Sequence, residues 1–539
     1  MLTPPSCLMS ILPLSRTSGR SIGTLPQAAG SSSTATVQAT ENSPAVSQSA
    51  IVSLQAEKVP VQTYSVPRTP QSSSPIWQKQ SNDAASLLMK GNFLSHSLAN
   101  RFKDLGSTLL DMVKDGIGNF SQSITQSSDV NAVTDTQTNS YPWADEQLTV
   151  RTKSGVEVRI SLKNQGDNLA VSIKTSGELS EAERIALGNL SDAFQKAIDG
   201  LNAAPPRIDL GALTQFDTTV LSSVDFHADI TLDQKAPQVL DFHADGTQRT
   251  FSLDGPSGKL NVDVDMGNSA IWGNEKQRSA SMANYLQQFD SAVSRGHGDK
   301  ALMTMFKDAF TQMNSDYPAP ALQQQIIGLT DSDHAMLSGL ADFDASITQA
   351  VDTPNPKHLD ELDTFSYQAS QNTLITDSGR FDRTISQQQQ SSLASSYHTS
   401  LIPDVPLKLT TDNKSQNYYY TQIDDKADST TEIEYRKGRL AKALSSQSAS
   451  QSTHVQKFEL GKLTEDTTRP YEASQTQDIL AILKPFLENR RERLPLDEYR
   501  WQQTLSDVHD QTLLKADPAD LHGKTYDRAR NVDAASAHA

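Results

Sequence analysis

A single cysteine, Cys7, in 539 residues excludes an internal disulfide framework and any cysteine-built zinc site, and it leaves the compartment open. Basic clusters are as scarce. Lys and Arg number 47 against 64 Asp and Glu, a formal net charge of −17, and no basic run is longer than Arg490-Arg491. With a pI near 5.1, that balance argues against nucleic acid as a partner, because neutralising phosphates needs a basic face. No apolar run reaches the ~18 residues a membrane helix needs, so no transmembrane segment is expected. Hydrophobic residues at 36% and charged residues at 21% both fall below the ~45–50% and ~25% of an ordinary globular chain. Uncharged Ser, Thr, Gln and Asn take their place. A core therefore requires that the apolar residues be concentrated, with part of the length left as solvated tail or linker.

Several chemical signatures are missing too. There is no Gly-x-Gly-x-x-Gly after a strand and no Gly-x-Ser-x-Gly elbow. Gly255-Pro-Ser-Gly258-Lys259 looks like the end of a phosphate loop but lacks the spacer and the following Ser or Thr, and a hairpin turn explains it. Asp263-Val-Asp265 has two calcium-like carboxylates without the later ligands.

The N-terminal apolar patch Cys7 to Leu12 has no basic residue before it and is flanked by Pro4, Pro5 and Pro13, a poor Sec signal. Two locations fit: the cytoplasm, or export without a cleavable signal. Residues 1–81 are rich in Ser, Thr, Gln and Pro and cannot offset the entropy of ordering. We expect a disordered tail there and another over 516–539.

Between the tails, periodicity predicts an α+β chain: antiparallel β-meanders with packed helices and a helical hairpin in the middle. Over 82–127 the spacing of Leu94, Leu98, Phe102, Leu105, Leu109, Val113, Ile117 and Phe120 predicts one amphipathic helix. Its apolar face serves either its own domain or a partner, through self-association, capture of another protein or a membrane surface. Residues 141–205 read as a three-stranded meander and a helix opened by the capping box Ser180 to Glu183. Residues 206–318 read as a β region followed by an αα-hairpin, the first helix carrying Tyr285 and Phe289, the second Phe306 and Phe310. Residues 319–465 read as a second β-rich region, in which Asn417 to Ile423 and Thr431 to Tyr435 pair across a polar loop, Asp424 to Asp428. A helical segment over 466–515, interrupted at Pro485 and Pro495, closes the ordered part. Leu-x-x-Leu-x-x-Phe recurs at Leu210, Leu337 and Leu359, as coincidence or as a repeated turn into a strand.

One constellation carries possible chemistry. Asp-Phe-His-Ala-Asp occurs twice, at Asp225 to Asp229 and Asp241 to Asp245. Alternation along a strand puts Asp225, His227 and Asp229 on one face, and Asp241, His243 and Asp245 likewise. If Asp233 to Pro237 closes a symmetric hairpin, His227 opposes His243, Asp225 opposes Asp245 and Asp229 opposes Asp241. Two imidazoles and four carboxylates on one face suit a divalent metal; a solvated strand face is the other account. Two functions follow. The chain is a non-catalytic interaction or structural protein, bacterial in style, acting through surfaces and needing no cofactor. Alternatively, it is a metal-dependent hydrolase using the paired strands to activate a bound water.

Overall fold

The computed structural model describes residues 75–126, 143–231, 236–318, 328–377, 381–488 and 495–521. The chain divides into residues 1–71 and 72–539, and every described residue lies in the second unit.

Fifteen antiparallel strands form one sheet, in the order β1-β2-β5-β4-β3 and then β6 through β15 in sequence. The N-terminal strands are β1 (Pro75–Trp77), β2 (Asn119–Gln126), β3 (Trp143–Thr152), β4 (Glu157–Gln165) and β5 (Asn168–Thr175). Next come β6 (Leu221–Thr231), β7 (Gln238–Asp245), β8 (Gln248–Gly255), β9 (Gly258–Asp265) and β10 (Asp342–Gln349). The last five are long: β11 (Thr364–Asp377), β12 (Arg383–Ser400), β13 (Tyr418–Arg436), β14 (Arg439–Glu459) and β15 (Lys462–Asp478). From β6 onward each strand pairs with its successor, so ten strands follow one another in sequence order across the sheet, with the long connection from β9 to β10 carrying three α-helices. The turn at Gly255 and Gly258 joins β8 to β9, as its sequence implied.

Helices supply the core against one face. These are α1 (Ala84–Asn92), α2 (Leu98–Arg101), α3 (Leu105–Lys114), α4 (Glu181–Gly188) and α5 (Ser191–Leu201) at one end of the sheet. The expected αα-hairpin is α6 (Glu275–Gly296) and α7 (Lys300–Met313). The helices α8 (Asp331–Ala335), α9 (Ile479–Glu488) and α10 (Pro495–Thr512) pack a second cluster on Ile385, Ile433 and Ala443. The fold is α+β, and the Ser180–Glu183 capping box forms as expected. No helix among the described residues is long and apolar enough to cross a membrane.

The structure corrects several expectations. The stripe from Leu94 to Phe120 is not one helix but parts of α2, α3 and β2. Asp104 adopts φ 58 between α2 and α3, and Gly116 at φ 96 ends α3, so the backbone breaks where the side-chain spacing continued. Leu98, Phe102, Leu105 and Leu109 are buried in the chain's own core, while Leu94 is exposed. The stripe therefore records internal packing. The expected loop Asp424 to Asp428 is the middle of β13: Asp425 and Ala427 turn to the helices, and Asp424 and Lys426 to solvent. The expected helical segment from 466 begins as β15 and turns helical only at Ile479. Order starts before residue 81, since β1 pairs with β2, and it extends past 516, where Leu521 is buried. Residues 1–74 and 522–539 of the expected tails lie outside the described residues. Of the three Leu-x-x-Leu-x-x-Phe segments, those at Leu337 and Leu359 run directly into β10 and β11, but Leu359 is exposed, so the motif does not define one packing unit.

Candidate functional site: the helix-free face of the sheet

Cross-strand register organises this face. One row of the sheet points to the helices throughout: Phe226, Phe242, Phe251 and Val262 on β6 to β9, then Ala345, Ala369, Ser391, Ala427, Ala449 and Ala473 on β10 to β15. Where the row shrinks to alanine, α6 lies against the strands, and Arg295 on its last turn pairs with Asp425 of β13 at 2.5 Å. Small side chains let the helix approach. Because successive residues alternate faces, both neighbours of each residue in this row point away from the helices.

The duplicated Asp-Phe-His-Ala-Asp strands start those two outer rows. β6 and β7 pair with each other, but the register sets His227 opposite Asp241 and Asp225 opposite His243, with Asp229 opposite Val239 and Asp245 opposite Ser223. That is two residues away from the symmetric hairpin expected. The reason is electrostatic: the symmetric register would oppose like charges, whereas this one pairs each imidazole with a carboxylate. His227 Nδ1 lies 2.7 Å from Asp241 Oδ1 and His243 Nδ1 lies 2.6 Å from Asp225 Oδ1. His243 Nε2 is 3.5 Å from Asp245. Asp245 itself closes a turn, accepting from the backbone N–H of Thr247 and Gln248 and from the Thr247 hydroxyl. Its partial burial opposes ionisation, but these donors and His243 outweigh that and hold its carboxyl below the usual range. Asp229 lies apart, opposite Asp145 of β3; burial raises its carboxyl against the pull of His227, and Asp145 adds to the rise. Among the described residues no group of three or more His, Cys, Asp or Glu is arranged to hold a metal ion.

Both rows continue across the sheet. One passes from Asp344 through Ser370, Gln390 and Asp428 to Ser448 and Ser474. The other passes from Ser346 through Gln368, Ser392, Lys426 and Ser450 to Glu472. Together they line a trough of about 1270 Å³ whose floor is the backbone of the alanine row. A smaller depression of about 420 Å³ over His227 and His243 shares Asn261 and Asp263 with it, so the paired strands and the trough form one surface. Asp428 is held in place by Gln388, Gln390 and Thr430 at 2.7–3.1 Å. Asp344 directly opposes Asp263, a like-charge pair at the trough's edge.

The distal end of the same face is closed. Tyr418, Tyr420 and Phe458 are covered by Leu407 and Leu409. Beneath them His398 sits between Asp363, 2.6 Å from Nδ1, and Glu361, 3.0 Å from Nε2. Tyr418 and Asn355 also donate to Glu361. Every member of this knot has a partner, which marks it as a structural closure.

Sequence reading found the two Asp-Phe-His-Ala-Asp strands but missed the trough. A signal was present: a polar–Ala–polar triplet recurs as Asp344-Ala-Ser346, Gln368-Ala-Ser370, Lys426-Ala-Asp428, Ser448-Ala-Ser450 and Glu472-Ala-Ser474. Compared with known proteins, the chain matches no family model, no curated protein and no solved structure.

Proposed function

We propose that this protein is a non-catalytic interaction protein that holds its partner on the helix-free face of the sheet. The observation that carries this reading is the continuity of the two polar rows from the paired Asp-Phe-His-Ala-Asp strands to β15, over a floor of backbone. Two features add support. Each imidazole of the paired strands is already engaged by a carboxylate, and an open trough gives no enclosure in which charge development is favoured over water.

The test is a thermal-shift screen of the full chain with divalent cations, peptides, nucleotides and polyols, repeated on Asp344→Lys/Asp428→Lys. A helix-surface control, Asp290→Lys/Lys307→Glu, exchanges the charges of a pair between α6 and α7 in which Asp290 is exposed and Lys307 half-buried. The expected outcome is a stabilising compound whose effect is lost in the trough variant and kept in the control. Stabilisers indifferent to the trough would overturn the proposal. So would a turnover activity abolished by His227→Ala/His243→Ala.

A further inference from the structure

We infer that the trough is a binding site for an unbranched, hydroxyl-rich glycan chain without acidic groups, lying across the strands from β10 to β15; this rests on the reading that the helix-free face is the working surface. Geometry comes first. Neighbouring strands lie ~4.8 Å apart and same-face residues along a strand ~7 Å apart, so the two rows are parallel ladders of hydrogen-bonding groups flanking a narrow floor. A thin chain crossing the strands meets a new pair of side chains at every strand, one on each side.

Chemistry then selects the occupant. The ladders carry hydroxyls, amides, carboxylates and the Lys426 ammonium, and among the described residues the side chains facing the trough include no aromatic or branched aliphatic group. A polypeptide lying across the strands needs apolar pockets for its side chains, which this trough lacks; the free edge of β15 offers backbone pairing only along that strand and not across the trough. Affinity must come from hydrogen bonds, and carboxylates accept from hydroxyls in the stronger, charge-assisted form. Charge excludes the acidic polymers. Among the described residues, Asp263, Asp344, Asp428 and Glu472 face Lys426 as the one cation lining the trough, so a phosphodiester or uronate chain is repelled along it. The opposed pair Asp263 and Asp344 is relieved by a ligand donating hydroxyl or ammonium protons between the two carboxylates. Asp428, fixed by three neighbouring donors, is preorganised, which reduces the entropy lost on binding.

The experiment is isothermal titration of the full chain with cellohexaose, a glucosamine hexamer and an oligogalacturonate hexamer, repeated on Asp344→Asn/Asp428→Asn/Glu472→Gln. These changes remove charge at exposed or half-exposed positions, and circular dichroism verifies that the variant is folded. We expect at least one of the first two hexamers to bind, with affinity falling tenfold or more in the variant, and the acidic hexamer to bind more weakly than whichever of them binds. No binding of the first two at their solubility limits overturns the inference, as does affinity unchanged in the variant or tighter binding of the acidic hexamer. If a peptide or cation instead shows a trough-dependent thermal shift, the glycan assignment fails while the helix-free face stands as the working surface. If nothing depends on the trough, both fail.

Discussion

Gln389, at the centre of β12, holds Leu514 by its backbone: the side-chain carbonyl accepts the Leu514 N–H at 3.2 Å, while its amide donates to the Thr512 carbonyl at 3.1 Å. Its row continues the pattern. Ser429 also donates to Thr512, and Gln447 to Gln511 and Leu513. The segment after α10 is thus seated on the sheet by buried polar side chains. Those residues would be poor core formers by composition, but here they satisfy peptide groups that packing has removed from water.

Gln389→Ala should therefore leave the Leu514 N–H and the Tyr285 hydroxyl, which also donates to Gln389, short of an acceptor, while the Thr512 carbonyl keeps Ser429. At ~1–3 kcal/mol for each of the two buried unpaired groups, the loss of stability should be about 2–6 kcal/mol in urea unfolding. Hydrogen exchange should accelerate first at Leu514. Unchanged exchange there would show that the segment is held by its apolar contacts alone.

Glu146, on β3 and fully buried, accepts from the Asn202 amide at 2.7 Å. Burial raises its pKa to about 8 against the hydrogen bond of Asn202, and the charges of Asp199 and Asp145 add to the rise. The folded chain then binds a proton that the unfolded chain has released. Stability falls as pH rises from the ordinary Glu value toward about 8, and the loss persists above that. Glu146→Gln should remove this slope and stabilise the protein at pH 8 by ~1–3 kcal/mol, measured as unfolding midpoints from pH 5 to 9.

His398 gives a pH dependence of different origin. Its burial opposes protonation, but Asp363 and Glu361 outweigh that and raise its pKa. Tyr418 and Tyr420 pack against its ring at tilted angles, and His358 stands on the far side of Glu361. A raised histidine contributes stability that is complete below its unfolded pKa and is lost as pH rises through the folded value. His398→Gln should flatten that part of the profile and loosen the cover formed by Leu407 and Leu409. The imidazole proton resonances, followed through the titration, report the raised midpoint directly.

Asp333, at α8, accepts from Arg383 at 2.6 Å and from the Tyr435 hydroxyl at 2.7 Å, and all three side chains are buried. Removing one member strands a buried charge, so Asp333→Asn and Arg383→Met should each cost ~3–5 kcal/mol. The double variant should cost less than their sum. Additive effects in a double-mutant cycle would refute the coupling.

The register of β6 and β7 is testable in the same way. Alanine substitution of His227 with Asp241, and of His243 with Asp225, should give coupling energies of ~0.2–1 kcal/mol at low salt. His227 with His243 should give none. Coupling between the two histidines would restore the symmetric hairpin.

Legibility followed the apolar side chains. The β3 to β5 meander, the α6–α7 hairpin and the capping box at Ser180 were readable because Leu, Ile, Val and Phe recur there with the period of the element. β12 was not, because its helix-facing residues include Gln387, Gln389 and Ser391, so both faces of Ser386 to Ser392 look polar and alternation leaves no trace. The paired Asp-Phe-His-Ala-Asp strands were visible, and so was the shared face of their polar residues, which any even register preserves. Which carboxylate met which imidazole was not.

By itself, the amino-acid sequence determined that the fold is α+β, that Asp225, His227, Asp241 and His243 share one face, and that disulfides have no part in it, because composition and side-chain period are properties of the chain alone. Tertiary structure decided the pairing of those residues and the trough they lead into. Register depends on the energy of whole cross-strand rows, and a row such as Asp344 to Ser474 gathers residues from six strands that no local period connects.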